Sequence, residues 1–288
     1  MAIKNNGNVY LSVKDHSVSG ETFELVENSE YGFLETHPLP PNDKLESYYQ
    51  SEDYISHTDT KRNLFEKLYH IVRRISLKRK IKIINCAMPG AKVLLDIGCG
   101  TGDFLKAAKH SGYDVYGIEP NDKARQIANK KTNNVVFDTT QINKFKGDTF
   151  DVITLWHVLE HLPNLHEQIV NFKKLLKPEG TLILAVPNFK SYDASHYKSY
   201  WAAFDVPRHL WHFSRTSIGK LFSKENMFVA KTIPMWFDAF YVSLLSEKYK
   251  SGRMNFIKAI YVGCLSNFKA LKSKEASSII YIVKKGKK

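Results

Sequence analysis

One segment restricts the fold more than any other: an apolar strand that runs into a glycine-rich loop and then into a helix. Residues 92–96 are predicted as a buried strand, Gly98-Cys99-Gly100-Thr101-Gly102 form the loop, and a helix is expected from residue 103. Glycine lets the backbone turn sharply and approach a ligand without a Cβ atom. Strand, loop and helix in this order are typical of parallel sheets that bind a nucleotide-like ligand.

The rest of the chain continues this alternation of strands and helices. Strands are predicted at 92–96, 114–119, 134–138, 150–155, 181–186, 227–233 and 278–284, and helices at 103–111, 122–131, 164–177 and 214–225. Because strands that alternate with helices form parallel sheets, we predict a Rossmann-like α/β fold. Its sheet has seven strands, with helices on both faces.

Three additions surround this sheet. Residues 1–41 are predicted as a small β appendage that ends at a proline-rich stretch, and residues 42–90 as a helical lead-in with a basic amphipathic helix at 61–85. The domain proper is then 91–288. It includes an aromatic-rich insertion at 188–213, here called the lid insertion, and two amphipathic helices at 235–272 before the last strand. The lid insertion suits a cover over an organic acceptor or a small core of its own.

An acidic residue ends the second predicted strand of the sheet. Glu119 lies about 20 residues beyond the glycine loop, where its carboxylate can accept hydrogen bonds from both hydroxyls of a ribose. A nicotinamide dinucleotide would need the same carboxylate. The loop, however, has the spacing GxGxG, whereas the dinucleotide motif is GxGxxG, so a pyrophosphate site is less well specified.

Four motifs in order resemble the class I S-adenosylmethionine-dependent methyltransferases, and most closely the small-molecule, ubiquinone-type O-methyltransferases. The motifs are 95–102 (LDIGCGTG), 117–120 (GIEP), 150–162 (FDVITLWHVLEHL) and 175–187 (LLKPEGTLILAVP). The resemblance implies that S-adenosyl-L-methionine is bound, with Glu119 on the ribose and Asp138 and Thr139 near the adenine. It also implies that Tyr54 and His57 reach the cofactor carboxylate from the N-terminal side. The implied cofactor-binding set is Asp96, Gly98, Cys99, Gly100, Glu119, Pro120, Asp138, Thr139, Trp156, His157, Tyr54 and His57.

Methyl transfer needs a base only if the acceptor starts protonated, and histidine can take a proton near neutral pH. His161 holds a position that faces the acceptor in the resembled family, and His161 and His209 are the predicted catalytic residues. In the lid insertion, Arg208 or His209 is expected to meet substrate. Each histidine could instead only brace a loop. The family makes a divalent metal near Glu160 and His161 conceivable, but two adjacent residues are a poor metal signal, so no metal is predicted.

Related methyltransferases often carry a zinc-binding cysteine pair in their N-terminal segment. In this chain Asn28 and Tyr31 occupy the corresponding places, so the appendage is expected to hold itself by packing. The three cysteines of the chain are scattered, which excludes a disulfide framework and indicates a reducing compartment.

The formal net charge of +13 suits an anionic partner, such as a phosphorylated metabolite, a nucleotide sugar, nucleic acid or an acidic membrane surface, and charge alone does not choose among them. The leading hypothesis is a small-molecule or sugar-type acceptor. A cytoplasmic protein is predicted, because the chain has no signal sequence and no transmembrane segment. Four roles are open for residues 235–272: an acceptor pocket, a homodimer surface, a membrane-contacting face or plain core packing. A nucleic-acid methyltransferase is the second hypothesis, although no Asp/Asn-Pro-Pro-aromatic motif follows the fourth strand and no nucleic acid is expected. A nicotinamide-dependent oxidoreductase and a non-catalytic cofactor-binding regulator are further alternatives.

Overall fold

The computed structural model describes residues 8–41, 48 and 64–286, and in the first helix the side chains from residue 72 onward. The central sheet has seven strands: β4 (Val93–Ile97), β5 (Asp114–Ile118), β6 (Val136–Phe137), β7 (Phe150–Trp156), β8 (Leu176–Pro187), β10 (Met227–Pro234) and β11 (Ser278–Lys285). Their order in the sheet is β10-β11-β8-β7-β4-β5-β6. β4 to β8 run parallel to one another, and β11 is inserted antiparallel between β8 and β10.

Eight α-helices are present among the described residues, and the two faces of the sheet share most of them. They are α1 (Leu64–Ala87), α2 (Asp103–His110), α3 (Asp122–Thr132), α4 (Leu165–Leu175), α5 (Tyr192–Tyr197), α6 (Arg215–Ser223), α7 (Asp238–Ser251) and α8 (Phe256–Ser273). The predicted Rossmann-like fold is therefore confirmed, including the helical insertion before the last strand. Of the helices described, none has the length and apolar character needed to cross a membrane.

The alternation of side chains along buried strands explains the two-sided core. Leu94 packs on one face of the sheet with Ile84 of α1 and Leu105 of α2. Its neighbour Leu95 points to the other face and joins the core that contains Ile169 of α4. Successive strand residues point to opposite faces, so a strand covered on both sides must be apolar throughout.

The N-terminal appendage is a four-stranded antiparallel sheet that the lid insertion completes. Its strands are β1 (Val9–Lys14), β2 (Thr22–Glu27), β3 (Leu34–His37) and β9 (Trp211–His212), in that order. Leu25 and Leu34 share one hydrophobic core with Trp201 and Phe204 of the lid insertion, and all four side chains are fully buried. Trp201 and Phe204 of the lid insertion therefore form a small core between the appendage and the domain. This is the alternative to a cover over an acceptor.

The tight turn between β2 and β3 is held by a polar side chain. The Asn28 amide oxygen accepts hydrogen bonds from the backbone N–H groups of Glu30 and Tyr31, and its amide nitrogen donates to Glu35 at 2.7 Å. An asparagine therefore satisfies the turn at the position where related methyltransferases have a cysteine.

Arg208 ties the lid insertion to itself and to the N-terminal segment. Its guanidinium is almost fully buried, forms ion pairs with Asp15 at 3.2 Å and Asp205 at 2.6 Å, and donates to the Tyr48 carbonyl oxygen. These contacts compensate its charge, and its contact with substrate stays a prediction.

We predict that Asp15→Ala destabilises the protein by about 3 kcal/mol, because it leaves a buried guanidinium with an incomplete set of partners. Urea unfolding followed by circular dichroism measures the change. The control is Asp122→Ala. The Asp122 carboxylate is 76% exposed, so loss of its ion pair with Arg125 should lower the free energy of unfolding by less than about 1 kcal/mol. Equal losses for both variants would show that the buried pair has no special weight.

Candidate cofactor and acceptor site

The site lies where the strand order of the sheet changes direction. β4 pairs with β5 on one side and with β7 on the other, so that Asp96 lies beside both Gly117 and Thr154. The carboxyl ends of the strands at such a point are the usual ligand position in open α/β sheets, and this region is here called the crevice. Asp96, Glu119 and Trp156 all lie at this edge.

Two glycines of the loop after β4 are required by the geometry. Gly98 has φ of 66°, and a Cβ atom there would lie 2.5 Å from the Val158 side chain. Gly100 has φ of 54° and has open space where a Cβ atom would be. The first glycine lets the β7 loop pack closely, and the second leaves the backbone accessible to a ligand.

Glu119 joins the loops after β4 and β5. One carboxylate oxygen accepts from the Gly100 N–H at 2.8 Å and the other from the Asn121 N–H at 2.9 Å. Burial raises the pKa of this carboxyl group, and the two backbone hydrogen bonds oppose that shift. Each oxygen keeps a lone pair, so the geometry is compatible with the predicted acceptance of two ribose hydroxyls.

Asp96 and Trp156 end the two central strands. The Asp96 carboxylate is almost fully buried and accepts from the Thr154 hydroxyl at 2.6 Å, while burial raises its pKa. The Trp156 ring packs edge-on against Phe104. Its indole Nε1–H is buried, and no described residue accepts a hydrogen bond from it.

Lys80 of α1 belongs to the site, although it is only one of many basic residues in the predicted amphipathic helix at 61–85. Its ammonium lies 4.3 Å from the centre of the Trp156 ring and is close enough to Asp96 and Asp238 for their charges to stabilise it. Burial lowers the pKa of Lys80, and these two carboxylates oppose the shift. The basic pattern of α1 hid this residue, because one lysine among many has no distinguishing signal.

His157 forms a charged bridge between two carboxylates. Its Nε2 lies 3.1 Å from Asp238 of α7 and its Nδ1 lies 3.5 Å from Glu160. Burial alone would lower the pKa of His157, but these two partners raise it to about 10, so the ring is a cation at neutral pH. His157 also has a left-handed backbone, with φ of 58°, which is uncommon outside glycine and concentrated at functional sites.

The two predicted catalytic histidines lie together. The rings of His161 and His209 are 4.5 Å apart, centre to centre. His161 Nδ1 lies 2.9 Å from the Arg208 carbonyl oxygen and His209 Nδ1 lies 2.9 Å from that of Ala203. Because a carbonyl oxygen only accepts, both Nδ1 atoms carry a proton.

Glu160 completes this group. Its carboxylate is buried, no described residue makes a hydrogen bond with either oxygen, and its contact with His157 is long. The ligand atoms of Glu160, His161 and His209 all lie within 4.8 Å of one another, which is a donor set that a divalent transition metal accepts. The sequence could not show this third member, since His209 is 48 residues beyond His161.

The remaining predicted cofactor residues have different surroundings. The Cys99 thiol is buried against Gly117, where burial raises its pKa, so only its backbone can face a ligand. Pro120 and Thr139 are exposed beside the crevice, and the exposed Asp138 caps the short helix that follows β6. Tyr54 and His57 lie outside the described residues.

A family model described as a methyltransferase domain matches residues 60–229, more than half of the chain. The chain belongs to this methyltransferase family. It is an enzyme whose cofactor is S-adenosylmethionine, which excludes the nicotinamide-dependent alternative.

Curated relatives include ubiquinone biosynthesis O-methyltransferases. The protein of Actinobacillus pleuropneumoniae serotype 7 is 36% identical over 108 residues, which are 34% of this chain and 46% of the relative. That of Coxiella burnetii (strain Dugway) is 31% identical over 134 residues, 44% of this chain and 56% of the relative. The chain therefore matches about half the length of these relatives.

Solved structures agree on the fold. A methyltransferase of Thermotoga maritima has a TM-score of 0.55 at 17% identity and covers 83% of this chain and 99% of its own. The magnesium protoporphyrin IX methyltransferase of Synechocystis, with bound S-adenosylhomocysteine, has a TM-score of 0.55 at 16% identity and covers 85% of this chain and 100% of its own.

The crevice fits the cofactor by observations made on this chain alone. Gly100 leaves an open cradle, Glu119 offers oxygens for a ribose, and the buried Trp156 Nε1–H has no acceptor among the described residues. Asp96 and Lys80 place one anion and one cation at the end of the crevice where a zwitterionic methionine group would lie.

Proposed function

We propose that this enzyme methylates an oxygen atom of a small organic acceptor, at the cluster of Glu160, His161 and His209. The observation that carries the proposal is the pair of Nδ1–H groups of His161 and His209, each held by a backbone carbonyl oxygen, beside a buried carboxylate. In a neutral imidazole this arrangement leaves the lone pair on Nε2, which can take the proton of a hydroxyl. The printed function of the curated relatives, ubiquinone biosynthesis O-methylation, points the same way.

When bound, S-adenosylmethionine supplies an activated methyl group on a sulfonium. Glu119 would hold the two ribose hydroxyls, and the backbone of Gly98 and Gly100 would border the methionine part. Asp96 would face the methionine ammonium, and the carboxyl end of β7 would border the methyl group. The residues around Asp138 would border the adenine.

We assign Lys80 to the methionine carboxylate. Its ammonium lies over Trp156 and is partly desolvated there, which reduces the cost of forming an ion pair. Trp156 Nε1–H is a second donor for the same group, because it has no acceptor among the described residues.

His161 is the proposed base. Burial and the nearby His209 lower the pKa of His161 to about 4, so the ring is neutral at pH 7 and its lone pair can accept the acceptor's proton. His157, in contrast, is already protonated and cannot serve. His161 would take the acceptor's proton as the bound cofactor supplies its methyl group to the acceptor oxygen. Because Glu160 already has a counter-ion in His157, we propose that this transfer proceeds without a metal.

Glu119→Ala is predicted to weaken binding of S-adenosylhomocysteine about a hundredfold. Two charge-assisted hydrogen bonds to ribose are lost, and the loop after β4 loses its anchor at Gly100. Isothermal titration calorimetry measures the affinity. Asp114→Ala, at the exposed start of the same strand, should leave it unchanged. Wild-type affinity in Glu119→Ala would refute the ribose assignment.

Cofactor affinity is predicted to fall with rising pH in a way that depends on Lys80. Its pKa lies below the usual 10.5, so its charge is present at low pH and is lost as the pH rises through that lowered pKa. Calorimetric titrations of wild type and Lys80→Met across this range isolate the effect, since the cofactor's own amine titrates in both. The two curves should converge at high pH. A constant ratio of affinities would exclude the ion pair, and Lys80→Arg should restore binding at high pH.

His161→Ala is predicted to lower kcat about a hundredfold while cofactor affinity stays unchanged, since the cluster acts on the acceptor's proton. Turnover is measured as S-adenosylhomocysteine release with a catechol-type acceptor. His166→Ala, on the exposed face of α4, is the matched control. Treatment with a chelator should leave the wild-type rate unchanged, and metal analysis accompanies this measurement. If the enzyme instead contains a stoichiometric metal and loses its rate when that metal is removed, the proposed role of His161 as base is refuted in favour of a metal.

A further inference from the structure

Helix α8 has its small residues inside and its large apolar residues outside. The face that packs on α7 and α5 is so closely apposed that a Cβ atom on Gly263 would lie 2.6 Å from the Phe240 ring. This is the reverse of an ordinary amphipathic helix, in which the large apolar side chains face the core. The buried residues of α8 are Ala259, Val262, Gly263, Ser266 and Ala270.

The outer face of α8 is an apolar stripe open to solvent. Ile257 is 83% exposed, Phe268 is 72% exposed, and each of the other members is more than half exposed. Their spacing follows the helical repeat, so they form one continuous strip on a helix of 18 residues, about 27 Å long. We define the outer face as Ile257, Ile260, Tyr261, Phe268 and Leu271.

A contiguous exposed patch of this kind marks an interaction surface, whereas single exposed apolar residues do not. Core packing, the default for this segment, explains only the inner face. The described part of the chain leaves the outer face uncovered, so its partner lies outside those residues.

The charges around the stripe select the partner. Residues 248–274 contain seven basic residues and no aspartate or glutamate. Lys258 and Lys272 are exposed on α8 itself, beside the apolar residues. Large apolar side chains bordered by lysines are the pattern of helices that lie in the interface of an anionic bilayer. A second copy of this chain would instead bring two basic surfaces together, which like-charge repulsion opposes.

We propose that the outer face of α8 docks on the surface of an anionic phospholipid membrane. The apolar strip enters the headgroup region and the flanking lysines contact lipid phosphates. Asp238, at the start of α7, pairs with His157 of the site, and Phe240 of α7 packs on Gly263 of α8, so one helix connects the docking helix to the site.

Vesicle co-sedimentation of the full chain tests this proposal. Wild type is expected to bind phosphatidylcholine vesicles that contain phosphatidylglycerol and to bind pure phosphatidylcholine vesicles at least about tenfold more weakly, with a marked decrease at high salt. Ile257→Asp/Phe268→Asp removes apolar contacts, and Lys258→Glu/Lys272→Glu removes charge complementarity. Each should reduce binding to the anionic vesicles by at least about tenfold.

Matched controls separate this surface from general effects. Val170→Asp changes an exposed apolar residue on α4, and Lys123→Glu/Lys130→Glu changes two exposed lysines on α3; both should bind as wild type does. Thermal unfolding checks that all variants fold. Equal losses in the α3 variant, unchanged binding in the α8 variants, or no binding by wild type would each overturn the proposal. Size-exclusion chromatography with light scattering measures the oligomeric state. If wild type does not bind vesicles but forms a dimer, and Ile257→Asp/Phe268→Asp dissociates that dimer, the outer face binds a second copy of the chain.

Discussion

The bond network of one carboxylate determines how the cofactor crevice is formed. Glu119 accepts hydrogen bonds from the loop after β4 and from the loop after its own strand, β5. The loop after β4 is also bonded to the end of β5, because the Gly98 and Cys99 N–H groups donate to the Ile118 carbonyl oxygen. Because the Glu119 carboxylate is buried, its ionised form depends on the N–H groups that donate to it. The same side chain therefore shapes the crevice and offers oxygens to the ligand.

Most of the main sheet could be predicted, because each strand or helix carries its own local pattern. The predicted helix 103–111 is observed at Asp103–His110, and the predicted last strand 278–284 at Ser278–Lys285. β8 begins five residues earlier than predicted. The Pro178-Glu179-Gly180 stretch, which directly follows the predicted helix 164–177, lies within the strand. The glycine positions and Glu119 were also predictable, because backbone approach and ribose chemistry restrict which residue types can occupy them.

What could not be predicted depends on contacts between distant segments. Lys80 and Asp238 are separated from the motifs they meet, and only the packing of α1 and α7 brings them to the crevice. Arg208 has the sequence context of a ligand-binding residue, but two carboxylates from separate segments compensate its charge. The function of the lid aromatics likewise depended on β9, a two-residue strand too short to leave a periodic pattern.

The polar residues of the site form one continuous series from the cofactor crevice to the acceptor cluster. Lys80 lies among Asp96 and Asp238, Asp238 pairs with His157, and His157 pairs with Glu160 beside His161. Opposite charges alternate along this series, which offsets the cost of burying each of them. Asp238 is the only member from the helical insertion, and its place depends on the packing of α7 against α8. The insertion therefore contributes to the electrostatics of the site. It connects α8 to His157 through the contact of α8 with α7 and the ion pair of Asp238 with His157.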